Sequence, residues 1–228
     1  MLLNTDKLSL IDVVVDQFHI SSFADLGGVW LVDGGYSTYA LDRGVRRGTL
    51  VDLHPEMLSE AVRARQDLEI ILGNFAHDEV AQRVQADCLF LFDVLVHQTM
   101  PNWDYVLSLY AKRVQYFLIF NQQWIATRKT VRLIDLGEQE FFRNTPNSKD
   151  DPLCRDLFKN LYEPCESEFH NWGHRAHRDI STIWQWGITD EDLVAEMRFH
   201  GFNPVFYRNH GKAWELPNFE HHAFIFAR

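Results

Sequence analysis

Four clusters in this chain combine residue types that bind or transfer groups, and each follows a short apolar run: Asp25-Leu26-Gly27-Gly28-Val29, Asp52-Leu53, Gly73-Asn74-Phe75, and Asp93-Val94-Leu95-Val96-His97. A carboxylate such as Asp52 at the end of a strand accepts hydrogen bonds from both hydroxyls of a ribose. Gly27 and Gly28 carry no Cβ, so backbone there approaches a ligand closely. Asn74 and Phe75 offer an amide edge and a flat ring, the two features that hold a purine. His97 lies four residues past Asp93 and, with an ordinary imidazole pKa, is largely neutral and basic near neutral pH. Taken singly, each cluster reads equally well as a turn, a core aromatic or a cap before Pro101. Their serial order at the carboxyl ends of successive strands points to a nucleotide-like ligand across a sheet edge, where open parallel sheets bind ligands.

A second group of polar residues invites a metal reading. His170, His174 and His177 are spaced to share a helix face, and three imidazoles so placed suit zinc. Gly173 weakens that helix and no acidic or Cys partner sits at ligand spacing, so no metal site is assigned. The histidines read instead as a polar face, with His174 or His177 meeting substrate. Cys88, Cys154 and Cys165 are odd in number and form no Cys-x-x-Cys pair, which makes them reduced thiols.

The elements that must carry these clusters alternate as in βαβ units. After a first short strand ending at Asp25-Leu26, strands are predicted at 48–53, 68–72, 88–92 and 116–120. Helices are predicted at 8–20, 55–65, 77–86 and 102–113. Runs as apolar as Cys88-Leu89-Phe90-Leu91-Phe92 are buried on both faces, as in a central parallel sheet. Past Phe120 the pattern lapses for roughly sixty residues, too long for a bare loop in a compact domain. The segment 124–186, with Phe141, Phe142, Trp172, Trp184 and Trp186, is therefore expected to be an inserted lid or acceptor-binding subdomain. Thr189-Asp190-Glu191-Asp192 opens a helix that Gly201 closes, and strands at 205–207 and 223–226 end the sequence.

With 228 residues, 46% of them hydrophobic, the chain suffices for one large α/β domain, and a single globular unit is expected. A formal charge of −10 opposes binding to a polyanion, so nucleic acid is an unfavoured partner despite the local Arg43, Arg46, Arg47 group. No apolar run reaches the length of a membrane helix and the start lacks a basic region leading into an apolar one, so the expected address is cytoplasmic.

The ordered clusters resemble those of class I, Rossmann-like methyltransferases that use S-adenosylmethionine. Asp25-Leu26-Gly27-Gly28 is similar to the family's first motif, Asp52 to its ribose acid, Asn74-Phe75 to its adenine contact, and Asp93 to His97 to the segment after its fourth strand. The likeness covers most of the chain. It implies a seven-stranded sheet in the order 3, 2, 1, 4, 5, 7, 6 with strand 7 antiparallel and a cap after strand 5. It also implies S-adenosylmethionine held by Asp25, Gly27, Gly28, Val29, Asp52, Leu53, Asn74, Phe75 and Asp93. The aromatic cap suits a small or medium organic acceptor methylated at oxygen, and His97, four residues past Asp93, is positioned to be its base. The glycine loop departs from the family pattern, because Val29-Trp30-Leu31-Val32-Asp33 intervenes before Gly34-Gly35. A second register, with Val29–Val32 as the first strand and Asp33-Gly34-Gly35 as its loop, stays open; Asp25 is the closer match. The lack of Asn-Pro-Pro-Tyr after the fourth strand argues against an amino-directed nucleobase or glutamine methyltransferase. Two rivals remain: a methyltransferase-like module without catalysis, and an NAD-dependent oxidoreductase, which lacks its Gly-x-Gly-x-x-Gly here.

Overall fold

The computed structural model describes residues 3–165 and 175–228. Helix α1 (Thr5–Asp16) begins where the Asn4 side chain accepts the amides of Asp6 and Lys7, at 2.8 and 3.3 Å. This cap starts the helix earlier than the apolar pattern alone places it, and brings Lys7 onto the buried stripe with Leu10, Ile11 and Val14. Then follow β1 (Ser22–Leu26), α2 (Gly35–Asp42), β2 (Arg47–Asp52), α3 (Glu60–Arg63), β3 (Leu68–Leu72), α4 (Asp78–Ala81), β4 (Cys88–Phe92), α5 (Trp103–Ala111) and β5 (Tyr116–Trp124). The helices expected over 55–65 and 77–86 contract to single turns of four residues, α3 and α4. Segments that short have too few internal hydrogen bonds to persist alone and are held by packing of Val62 and Ala81.

The sheet runs β3-β2-β1-β4-β5-β9-β8, where β8 is Asn203–Lys212 and β9 is Phe219–Ala227. β1 to β5 pair in parallel, and β9 is antiparallel to both β5 and β8. Counting only the strands of this sheet, the order is the expected 3, 2, 1, 4, 5, 7, 6. β1 ends at Leu26 and residues 30–34 form turns, so the alternative first strand at Val29–Val32 is not formed.

Alternation along the strands sends side chains into two apolar layers. Phe23, Phe90, Leu118, Phe120 and Ile225 pack against α1 and α2 through Leu10, Ile11, Tyr36 and Ala40. Leu89, Leu91, Phe117, Ile119 and Phe226 pack against α5 and α7 (Asp190–Phe199) through Trp103, Val106, Leu107, Leu193 and Met197. Each such side chain contributes roughly 1.5–3 kcal/mol on full burial, so this double layer fixes which edge of the sheet carries the loops.

The segment after β5 has a third, smaller core of Leu133, Ile134, Phe141, Cys154, Leu157, Ile180, Ile183 and Trp184. It contains a two-residue ribbon, β6 (Val131–Arg132) with β7 (Trp186–Gly187), and helix α6 (Glu138–Asn144). That core also includes Val96, Trp124 and Phe219. The insertion thus abuts the carboxyl ends of β4 and β5 and the start of β9.

Candidate cofactor and acceptor site

The loops after β1, β2, β3 and β4 meet at one edge of the sheet. Gly27 adopts φ +78°, a left-handed conformation that glycine enters without a Cβ penalty. A Cβ on Gly28 would lie 2.3 Å from Asp25 Oδ2, so the carboxylate of Asp25 fits only under a glycine. Asp25 is buried; Ser37 Oγ donates to its Oδ2 at 2.8 Å while Oδ1 has no partner among the described residues. Burial, aided by nearby Asp52, raises its pKa to about 6.

Asp52 is also buried and ties the first two loops together. Val29 N–H donates to its Oδ2 at 3.1 Å and His54 N–H to its Oδ1 at 3.0 Å. Each carboxylate oxygen keeps a second lone pair, which is the capacity a pair of ribose hydroxyls requires. Leu53, the next residue, is half-buried. After β3, Asn74 Oδ1 accepts the Ala76 amide at 2.9 Å, an Asx turn that employs the oxygen and leaves the side-chain NH2 as donor. Phe75 packs in the core, and its ring lies 3.6 Å from where a Gly27 Cβ would be, with Val94 Cγ1 at 2.9 Å from the same point. The loop after β3 thus closes directly on the glycine turn.

Asp93 follows β4 with φ +60°, a strained conformation for a side chain with a Cβ. Its Oδ2 is ion-paired with Lys7 Nζ, and Gln122 Nε2 donates to Oδ1 at 2.6 Å. Lys7 was not among the residues read from the sequence, because a helix begun at residue 8 omits it; a lysine in register with Leu10, Ile11 and Val14 is the signal. Gln122 escaped likewise, since the fifth strand was expected to end at Phe120, whereas Asn121, Gln122 and Gln123 continue it with no exposed surface. Beside them on β9 and β8 lie His221 and His210. Among the described residues Gln122 Oε1, His210 Nε2 and His221 Nε2 are buried without partners, and buried polar atoms left unpaired are rare. Burial lowers the pKa of His221, and the half-exposed Trp214 ring packs edge-on to it at 5.1 Å.

His97 sits in a short 3-10 turn, Leu95–His97, where its Nδ1 is 3.1 Å from the Ile183 carbonyl. A carbonyl only accepts, so the ring proton is on Nδ1 and Nε2 is the basic nitrogen. Burial lowers its pKa and keeps it neutral. The same stretch is stitched to the insertion by Gln185 N–H to Val96 O at 2.7 Å and Trp186 Nε1–H to Gln98 O at 2.5 Å. His170, His174 and Trp172 lie outside the described residues. His177 begins a 3-10 turn, and among the described residues no three His, Cys, Asp or Glu are grouped to hold a metal.

A parallel sheet closed by one antiparallel strand, with a glycine turn after β1 and an acid ending β2, defines a class I, Rossmann-like methyltransferase fold. Solved structures share it. The N-terminal domain of EvdMO1, determined in the presence of SAH and D-fucose, superposes with a TM-score of 0.60 at 11% identity, over 99% of this chain and 84% of that one. The 1,6-didemethyltoxoflavin-N1-methyltransferase of Burkholderia thailandensis, with bound 1,6-didemethyltoxoflavin and S-adenosylhomocysteine, gives 0.56 at 12% identity, over 97% and 78%. The mitomycin 7-O-methyltransferase MmcR gives 0.54 at 16% identity, and this chain spans 54% of its length. At such identities the likeness is one of fold. No protein-family model and no curated protein matches the sequence.

Proposed function

We propose that this protein is an S-adenosylmethionine-dependent methyltransferase acting at oxygen on a small or medium organic acceptor in the cytoplasm. The observation that carries the reading is Asp52: an acid ending β2, bonded to the backbone of the Gly27–Val29 turn, with only one donor on each carboxylate oxygen among the described residues. Asp25, Gly27, Gly28, Val29, Leu53, Asn74, Phe75 and Asp93 are proposed to complete the cofactor site. Fold neighbours crystallised with SAH support it. The bound cofactor supplies an electrophilic methyl group on sulfur.

The protein's share is to orient the acceptor, exclude water and take a proton. Gln122, His210 and His221 carry buried polar atoms unpaired among the described residues, and His221 packs against the Trp214 ring; this set suits a hydroxylated acceptor of modest size. His97, neutral and with Nε2 free of the Ile183 bond, is proposed as the base. The segment 124–186, whose described residues share a core with Val96 and Phe219, is proposed as the lid over the acceptor. Where the described residues form helices, none is long and apolar enough to cross a membrane.

Calorimetry with S-adenosylhomocysteine tests the reading. Wild type is expected to bind, and Asp52→Ala to lose roughly 1.5–3 kcal/mol for each hydroxyl bond removed. Equal affinity in that variant would remove the ribose assignment. A second reading, a methyltransferase-like module without catalysis, is favoured by the close packing of Phe75 and Val94 on Gly27; it predicts no S-adenosylhomocysteine binding and none carried through purification, as judged by mass spectrometry.

A further inference from the structure

Lys7 holds its ammonium in an unusual setting. The side chain is 8% exposed, and Nζ lies 5.3, 5.7 and 5.3 Å from the ring centres of Tyr36, Phe92 and Phe120. An ammonium has three N–H donors, and the rings offer it attraction but no lone pair. Asp93 Oδ2 is its one hydrogen-bond acceptor among the described residues. Burying a charge with incomplete hydrogen bonding is costly, so the arrangement calls for a further acceptor. Asp93, by contrast, is 33% exposed and held at φ +60°, a strain of the kind that collects at ligand sites. A positive and a negative group therefore stand side by side at the end of β4, and the negative one faces solvent.

The pair adjoins the glycine turn. Val94, next to Asp93, lies 2.9 Å from the Cβ position of Gly27, and the Lys7 charge acts on the Asp25 carboxyl. We propose that Lys7 and Asp93 form a receptor for the zwitterionic amino-acid end of the cofactor, with Lys7 donating to its carboxylate and Asp93 accepting from its α-ammonium. This rests on the cofactor reading above and adds to it a residue from the N-terminal helix. Such a receptor is already paired when empty, so neither charge is stranded without ligand, and the ligand's two charges complete the hydrogen bonds of both.

The test compares two ligands that share the nucleoside, S-adenosylhomocysteine and methylthioadenosine, which lacks the amino-acid end. Calorimetry on Lys7→Met, which keeps the length and apolar stem within the rings, should show S-adenosylhomocysteine affinity reduced about 10–100-fold and methylthioadenosine affinity unchanged, the scale of a lost charged hydrogen bond. Lys7→Arg should recover part of the loss. Wild type should bind decarboxylated S-adenosylhomocysteine more weakly than the parent by a similar factor, a measurement that needs no variant to fold. Unchanged S-adenosylhomocysteine affinity in Lys7→Met, parallel loss of both ligands, or full affinity for the decarboxylated analogue would overturn the receptor and leave the cofactor reading intact. Wild type binding neither nucleoside would overturn both.

Discussion

Asp25 shows how a single residue at this edge trades stability for position. Its pKa, raised by burial from 3.8 to about 6, means that the folded state holds a proton the unfolded chain gives up earlier. That contribution is fully present below pH 3.8 and is lost as pH rises through about 6. Asp25→Asn keeps the shape without the charge, so it should be more stable than wild type at neutral pH by an amount on the order of 1–3 kcal/mol, with the gap closing near pH 4. Chemical denaturation at the two pH values checks this; equal gaps at both would show that the charge is not what costs stability. His97 titrates in the opposite sense. Its lowered pKa leaves it the free base at neutral pH, and as a general base its contribution to kcat should be flat there and fall on acidification below its ordinary pKa. His97→Gln should keep S-adenosylhomocysteine affinity and lower kcat by roughly 10²–10⁴-fold. Unaltered turnover would leave His97 as a structural tie to Ile183.

Among the elements, α7 and β9 are joined by a charged contact that the apolar pattern of neither reveals. His222 Nδ1 lies 2.8 Å from Asp190 Oδ1 and its Nε2 lies 3.2 Å from Glu220 Oε2. Burial pushes the imidazole pKa down, but the hydrogen bonds and charges of Asp190 and Glu220 together outweigh it and raise the pKa. A raised histidine stabilises fully below its unfolded pKa near 6.5 and less as pH climbs through the folded value. His222→Gln should therefore cost about 1 kcal/mol at pH 6 and less at pH 9, read as thermal midpoints across pH; a loss that grows with pH would contradict the pairing. The inserted segment is held differently, by the seam of Ile183, Gln185 and Trp186 on Val96, His97 and Gln98. If it is a lid, hydrogen exchange on either side of that seam should slow on adding S-adenosylhomocysteine and acceptor, more than in the sheet. Exchange unaffected by ligand would make the insertion a fixed wall.

For the molecule as a whole, the charge of −10 should keep it off polyanions. Fluorescence anisotropy with labelled duplex and single-stranded RNA at about 0.15 M salt should show no saturable binding; tight, salt-sensitive binding would reopen a nucleic-acid acceptor.

What the sequence determined by itself was whatever follows from period and order. Consecutive apolar residues at 88–92 and 116–120 must be buried on both faces, and strands so buried with helices between them form a mostly parallel sheet, so the chain order of Asp25, Asp52, Asn74 and Asp93 already grouped these residues at one edge of it. The first strand was legible to within a choice of two registers. Local pattern does not choose between them, because Val29–Val32 is as β-prone as Ser22–Leu26; pairing of Phe23 with Cys88 and Gly48 decides it. The lysine, the glutamine and the two histidines at the end of β4 and β5 were decided by tertiary structure alone. Their residue types are ordinary on a surface, and only the convergence of α1, β5, β8 and β9 buries them together. Burial is what makes a lysine and an unpaired imidazole chemically conspicuous, since it removes the water that would otherwise satisfy them.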